Sequence, residues 1–553
     1  MNVRLSDFLL FLYRRSPARM MAVACVSVLS GICSAGVLAL INRALQGTRD
    51  DAWYLGIGFA VCVLGKLLSR AYSQMMLARM SQDTTYDFTL GLCGKIVAAP
   101  FRQTETQGPA RIMTVLNDDI GALGWSIQSL PQLMTNIAIV IVCGGYLAWL
   151  SWPAFLSLVG VTVLGASGYQ WFHMRTFSDM RASREARTHL YGHFRSLTDG
   201  LKELLMHPER RQEFLDHEVR GAAELYRRTN IEAAKQHAVK ESWSHVAFYF
   251  MIGSIIFVFP SLFALSPESL IGYTVVLLYM MSPIWGIVGA LPPLERGLLA
   301  YDHILKLERA LDGASSDGGS APVSGRRSAA TIVLDQVMFT YSDPEKMVEP
   351  FSLGPIDLTI RPGELVFIVG GNGSGKSTFV KMLAGLYVPH HGDIYVSGTI
   401  IAQGNREWYR THYSVVFSDF YLFQKLLGIE GGAVDSLAQE QLACLQLDHK
   451  VVVKDRQYST IDLSQGQRKR LALVTAYLED RPIYIFDEWA ADQDPQYKEI
   501  FYRKLLPDLR ARGKSVIVIT HDDRYFDLGD RVVKLDEGKI VESWSPKRGA
   551  AKI

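Results

Sequence analysis

Gly370-Gly371-Asn372-Gly373-Ser374-Gly375-Lys376-Ser377 decides how the second half of this chain is read. The run fits G-x-x-x-x-G-K-[ST], a loop that cradles phosphates. Glu364 to Val369 before it reads as a short buried strand, and Thr378 to Leu386 after it as a helix. In that order the glycines let backbone N–H groups wrap phosphates at a helix N-terminus. Lys376 supplies a point charge for the β- and γ-phosphates, and Ser377 offers its hydroxyl to Mg²⁺. A plain Gly/Ser connection is the alternative; the flanking strand and helix argue against it. The expected ligand is a nucleoside triphosphate, with Gly370 to Thr378 around its phosphates.

The chain has 553 residues, too many for one domain, and its halves differ. About 300 residues carry long apolar runs, and the rest read as a soluble α/β domain. The formal net charge of +2 gives no support to a nucleic-acid partner. Six cysteines (Cys25, Cys33, Cys62, Cys93, Cys143 and Cys444) show no CxxC or His/Cys metal spacing and read as reduced, small apolar residues.

Six apolar stretches are candidate membrane spans: about 20–42, 52–70, 132–150, 152–172, 246–265 and 270–290. Each approaches the roughly 20 residues a spanning helix needs. Basic residues set the orientation. Arg4, Arg14, Arg15 and Arg19 crowd the N-terminus, and residues 173–245 hold 13 Lys or Arg. The turns near Ser151–Trp152 and Ser261–Ser269 hold none. Both termini and the two long loops are therefore expected in the cytoplasm. Residues 71–131 and 173–245 read as helices that leave the membrane and turn back near 100–109 and 206–211. Residues 312–330 are Gly/Ser/Ala-rich and read as a linker between a transmembrane domain, 1–311, and a nucleotide-binding domain, 331–553.

Further elements follow in the second half. Pro482 to Phe486 reads as a buried strand ending in Asp487, placed to hold Mg²⁺, and Glu488, a candidate general base for an attacking water. Ser515 to Thr520 is another buried strand, ending at His521, which can contact a γ-phosphate. Leu463-Ser464-Gln465-Gly466-Gln467 precedes an amphipathic helix; alone, it reads as a helix cap.

In order with the phosphate loop, Asp487–Glu488 and His521, the LSQGQ run resembles the signature motif of ABC transporter ATPase domains. Six membrane helices followed by one such domain look like an exporter half-transporter: a membrane α-helical bundle with long cytoplasmic extensions, then an α/β P-loop ATPase. The resemblance implies ATP with Mg²⁺, Tyr341 stacking on adenine, and Ser464, Gly466 and Gln467 gripping the γ-phosphate of ATP held by another subunit. A homodimer, or a pair with a similar chain, is then expected, embedded in membrane lipid. Asp492-Gln493-Asp494 resembles the loop that communicates across that dimer, with Asp494 as the aligned acid.

Two positions depart from the family pattern. Ser418 stands where glutamine is usual and is too short to reach Mg²⁺ and water as glutamine does, so a bridging water or Asp419 would take that part. Trp489 stands where proline commonly follows the glutamate. With VFSDFYLF, LSQGQRKRLAL and DEWAADQDP, the motor is similar to those of bacterial exporters of cyclic peptides and siderophore peptides (pyoverdine-precursor, lasso-microcin and syringomycin type). The expectation is ATP-driven export of a peptide-type substrate across the bacterial inner membrane. Lipid or drug flipping, siderophore import on the same fold, and a membrane-tethered ATPase without transport stay open. Expected cavity linings are Tyr146, Tyr249, Tyr273, Tyr279 and Trp285; interfacial anchoring or plain packing is as good a reading of them.

Overall fold

The computed structural model describes residues 5–46, 52–263, 267–312, 330–341 and 351–546. The expected linker falls almost wholly on residues 313–329, outside the described residues. The chain forms two compact units, Met1–Thr89 with Thr114–Ile304, and Leu90–Met113 with Leu305–Ile553.

The first unit is helical. Its elements are α1 (Leu5–Arg15), α2 (Pro17–Gln46), most of α3 (Ala52–Ala98), α6 (Ile120–Leu150), α7 (Trp152–Asp199), α8 (Leu201–Met206), α9 (Pro208–Glu213), α10 (Arg220–Gly253), α11 (Phe259–Phe263) and most of α12 (Pro267–Asp312). Between α3 and α6 run α4 (Phe101–Gln107) and α5 (Pro109–Thr114). Helices α3 and α7 are 47 and 48 residues long. At 1.5 Å per residue that is about 70 Å, more than twice the ~30 Å hydrocarbon layer, so both run on beyond a bilayer.

Among the described residues, Pro17–Ala44, Trp53–Ala98, Pro109–Leu150 and Ser269–Asp312 are long and apolar enough to cross a membrane. The fourth and fifth expected spans appear as shorter apolar stretches, Trp152–Leu164 and Phe248–Leu262, inside longer helical paths. Helices α2, α6, α7, α10 and α12 share a core of Leu38, Ile139, Leu158, Met251 and Val276 with their neighbours. A Cβ on Gly31 would lie 3.0 Å from the backbone of Ala138, so glycine sets how closely α2 and α6 approach. Val61, Leu64, Leu67 and Leu68 on α3 point outward and are each more than half exposed, the pattern of a lipid- or partner-facing surface.

The second unit holds β1 (Ile332–Thr340), β2 (Ser352–Ile360), β3 (Leu365–Val369), α13 (Lys376–Leu383), β4 (His391–Val396), β5 (Thr399–Ile400), α14 (Arg406–Arg410), β6 (Tyr413–Val416), α15 (Val434–Cys444), β7 (Val453–Lys454), β8 (Gln457–Tyr458), α16 (Gln465–Glu479), β9 (Ile483–Asp487), α17 (Pro495–Ile500), α18 (Leu506–Ala511), β10 (Ser515–Ile519), β11 (Arg531–Asp536) and β12 (Lys539–Trp544). The main sheet has the order β12-β11-β3-β10-β9-β6, parallel except for its β12 edge. An antiparallel sheet, β2-β1-β4-β5, stands beside it.

The central strands are apolar on both faces because both are covered. Leu365 and Phe367 of β3 enter one core with Tyr484, Phe486, Val516 and Val518. Val366 and Ile368 enter the other with Ile485 and Ile517. Parallel register then levels the strand ends: Ile519 pairs with Ile368 on one side and Asp487 on the other. The loops leaving β3, β9 and β10 therefore emerge together, where ligands bind in open α/β sheets.

Leu90–Met113 packs with this unit through α4. Gly108 ends α4 at φ +74°, its N–H bonded to the carbonyls of Thr104 and Glu105, and Pro109 starts the return helix.

Candidate nucleotide site

The phosphate loop leaves β3 and closes on α13, with Gly373 and Gly375 at φ +80° and +96°. A Cβ at Gly375 would come within 2.8 Å of the Phe351 ring, so glycine is needed there for space as well as torsion. A cavity of about 290 Å³ opens over the loop, lined by Phe351, Asn372, Gly373, Lys376, Ser377 and Glu488 among others. Lys376 is buried, and its Nζ donates to the carbonyls of Gly370 (3.0 Å) and Gly371 (2.9 Å). No carboxylate pairs with it among the described residues. Ser374 Oγ is buried without a partner. A buried cation lacking an anion, beside an unsatisfied hydroxyl, fits a phosphate-bearing ligand.

Asp487 ends β9 and is 3 % exposed. Burial pushes its carboxyl above the usual carboxylate range, against the Ser418 hydroxyl bond that pulls it down; the Glu488 charge adds to the rise. Ser418 Oγ donates to Asp487 Oδ2 at 3.2 Å. The hard oxygens of Ser377 and Asp487 suit Mg²⁺, which keeps several waters and uses one or two carboxylates with substrate phosphates. Among the described residues no cluster of three His, Cys, Asp or Glu forms a closed metal cage.

Glu488 follows in the left-handed region at φ +50°, its N–H bonded to Ile519 O at 3.1 Å. This turn aims its carboxylate at His521, whose Nε2 lies 3.3 Å away. Glu488 lines both the phosphate-loop cavity and a second one of about 280 Å³ that also touches Thr520, His521 and Lys498. Thus Lys376, Ser377 and Glu488 share one cavity wall, and His521 reaches it through Glu488.

Residues 353–491 match the family model described as ABC transporter. "ATP-binding protein SyrD" of Pseudomonas syringae pv. syringae is 34 % identical over 534 residues, covering 93 % of this chain and 92 % of that protein. This chain belongs to the ABC transporters. An "ATP-dependent lipid A-core flippase" of Dechloromonas aromatica (strain RCB) is 25 % identical over 561 residues, covering 95 % and 91 %. In fold the chain matches the structure of a bacterial Atm1-family ABC exporter with ATP bound, at TM-score 0.71, 18 % identity and coverage of 97 % and 96 %. It is an exporter-type half-transporter whose ATPase domain binds ATP and couples hydrolysis to transport.

The other residues expected at the site of this ABC exporter stand elsewhere. Ser464 caps α16, and its N–H bonds Gln467 Oε1 at 3.3 Å. Neither Ser464, Gly466 nor Gln467 lines the phosphate-loop cavity of its own chain. Gln493 Nε2 donates to Gly466 O at 3.0 Å, while Asp494 caps α17 and Asp492 pairs with Lys469 at 2.7 Å. Tyr341 sits in an aromatic cluster, its hydroxyl 3.0 Å from that of Tyr387; Phe351 is the ring that lines the cavity.

Sequence reasoning missed three things. One is Phe351, which no motif marks. The second is Lys469, 3 % exposed, which donates to Glu488 O at 3.1 Å while Trp489 Nε1 donates to Lys469 O at 2.7 Å. Trp489 also stacks on Phe501 with centroids 4.4 Å apart, so the unusual tryptophan locks α16 to the glutamate turn. The third is the α4 contact. Glu105 accepts from Lys381 Nζ (2.8 Å) and from the Tyr387 hydroxyl (2.6 Å), and Arg102 lies 3.2 Å from His390.

Proposed function

We propose that a homodimer of this chain exports a peptide-type substrate — a cyclic peptide, lasso microcin or siderophore peptide — across the bacterial inner membrane, with ATPase domain and termini cytoplasmic. The observation that carries the reading is the 34 % identity to SyrD along nearly the whole chain, against 25 % to a lipid A-core flippase.

ATP enters the cavity over the phosphate loop, where Tyr341 or the neighbouring Phe351 face holds the adenine. Lys376 turns from the Gly370 and Gly371 carbonyls to the phosphates. Ser377 and Asp487 hold Mg²⁺, which when bound neutralises charge developing on the β- and γ-phosphates. Glu488 orients and deprotonates the attacking water, and His521 steadies Glu488 and the γ-phosphate. Ser464, Gly466 and Gln467 close over the nucleotide held by the partner subunit. Two nucleotides thereby favour the closed pair of ATPase domains, and α4 passes that closure along the chain to α3 and α6. A shift from mostly open to mostly closed takes about 5.5 kcal/mol of differential binding, which two composite sites share.

The test is the ATPase rate of the full chain in lipid nanodiscs against cyclic peptides, siderophore peptides and lipids, with Glu488→Gln as control. Saturable stimulation by a peptide, abolished in Glu488→Gln, supports the reading. Stimulation by lipid A alone replaces it with a flippase.

A further inference from the structure

The membrane unit carries a partly open cavity of about 320 Å³ among α2, α3, α6 and α12. Lys66, Arg70 and Ser73 of α3 line it at i, i+4 and i+7, one stripe of a single helix. Lys66 and Arg70 lie 14 and 18 residues into α3, which starts at Ala52. That is about 21 and 27 Å along the helix, within the ~30 Å of a hydrocarbon layer. Charged residues at such depth face an interior or a pathway and mark function by default.

The cavity leaves both charges uncompensated. Lys66 Nζ donates to the Tyr279 hydroxyl at 2.6 Å and sits 5.0 Å from the centre of its ring, and a neutral phenol cancels no charge. Arg70 has no hydrogen-bond or ion-pair partner among the described residues, and no Asp or Glu lines the cavity. Polar groups in the same wall are also unsatisfied: Ser30 Oγ, Ser73 Oγ and Asn136 Nδ2 are buried without partners. Ser30 and Ser73 are 1 % and 2 % exposed. The Asn136 amide has its room because position 286 is glycine; a Cβ there would come within 2.1 Å of Nδ2.

We propose that this cavity binds an anionic group of the transported molecule, a carboxylate or a phosphate, between Lys66 and Arg70. The inference rests on the export reading and narrows its substrate. An oxyanion accepts several hydrogen bonds at once, and the Arg70 fork matches its plane. The Ser30 and Ser73 hydroxyls and the Asn136 amide are further donors without partners. A neutral or cationic group in the same place leaves two neighbouring cations unpaired, so the site selects against it.

Two matched pairs of probes test this on the dimer in neutral-lipid nanodiscs. The first is a head-to-tail cyclic peptide with one Asp and its Asn twin; the second is phosphatidic acid and diacylglycerol. Binding of the fluorescent peptides and stimulation of ATPase are both read. A half-saturating concentration at least about tenfold lower for the Asp peptide, with the difference erased in Lys66→Met and Arg70→Met and kept in Lys66→Arg, supports a carboxylate. The same pattern for phosphatidic acid over diacylglycerol supports a lipid phosphate. Twins that act at equal concentration, in the native chain and the variants alike, overturn the anion site. Charge-selective binding without ATP-dependent accumulation in inverted vesicles overturns the export reading and leaves the anion site standing.

Discussion

Ser418 donates its hydroxyl to the Asp487 carboxylate at 3.2 Å, across 69 residues of sequence. The short Ser418 side chain thus orients the carboxylate proposed to hold Mg²⁺. Hydrogen bonds to charged groups contribute about 1.5–3 kcal/mol. Ser418→Ala is therefore expected to lower the ATPase rate roughly ten- to hundredfold at limiting Mg²⁺, with recovery as Mg²⁺ rises. A Mg²⁺ titration identical to that of the native chain would show that the contact has no part in metal binding.

Asp487 separates stability from activity. Its folded carboxyl titrates above the ordinary range because it is buried. A raised carboxylate binds its proton more tightly when folded, so the charged form lowers stability above that range, and the loss is relieved as pH falls through the raised value. Asp487→Asn should raise the nucleotide-free unfolding temperature and abolish the further rise given by Mg²⁺ and ATP. A lower nucleotide-free temperature contradicts the sign.

The signature residues lie off their own chain's cavity, and the proposed homodimer shares each site between two chains. Lys376→Ala and Ser464→Arg chains should each be inactive as homodimers. A mixture contains heterodimers with one intact Lys376 facing one intact Ser464, and hydrolysis should return in part. Mixtures as dead as their components would rule out sharing of sites between subunits.

The Glu105 contact predicts a pH window and a coupling defect. Burial alone would raise the Glu105 carboxyl; the hydrogen bonds from Lys381 and Tyr387, with the charges of Lys381 and Arg102, outweigh it and hold it below its ordinary value. The contact is then complete above about pH 4.3, the unperturbed glutamate value, and is lost as pH falls through the lower folded value. At neutral pH the effect is read by mutation. Glu105→Gln and Tyr387→Phe should keep basal hydrolysis within about threefold while substrate stimulation falls, the contact being remote from the phosphates. Stimulation that survives both changes argues against α4 as the route.

The motor was legible because its chemistry is local: a glycine loop between a strand and a helix, an acid pair at a strand end and a histidine at the next. Parallel pairing of β9, β3 and β10 then had to bring those ends together. The residues that tune the motor were not legible. Ser418 reaches Asp487, Trp489 reaches Lys469 and Glu105 reaches Tyr387 only through tertiary packing. In the membrane unit, the expected linings are aromatic, whereas the cavity described is lined by two cations. Of the five expected cavity aromatics, Tyr279 alone lines the cavity described. Tyr273 is fully buried, and its hydroxyl is spent on the carbonyls of Leu147 (2.8 Å) and Ser151 (2.7 Å), a structural tie. The i, i+4 pair Lys66 and Arg70 inside an apolar run was the available signal.

That pair also bears on biogenesis. The helix carrying it has the lowest mean hydropathy of the four apolar enough to span, 1.4 against 1.8 to 2.2. On insertion scales a Lys or Arg near a helix centre costs about 2.5–3.5 kcal/mol. As α3 emerges from the ribosome it is therefore a reluctant guest in the bilayer and enters best beside α2, already made, whose Ser30 belongs to the same cavity wall. The polar interior proposed to receive cargo would then also ease the insertion of its own second span.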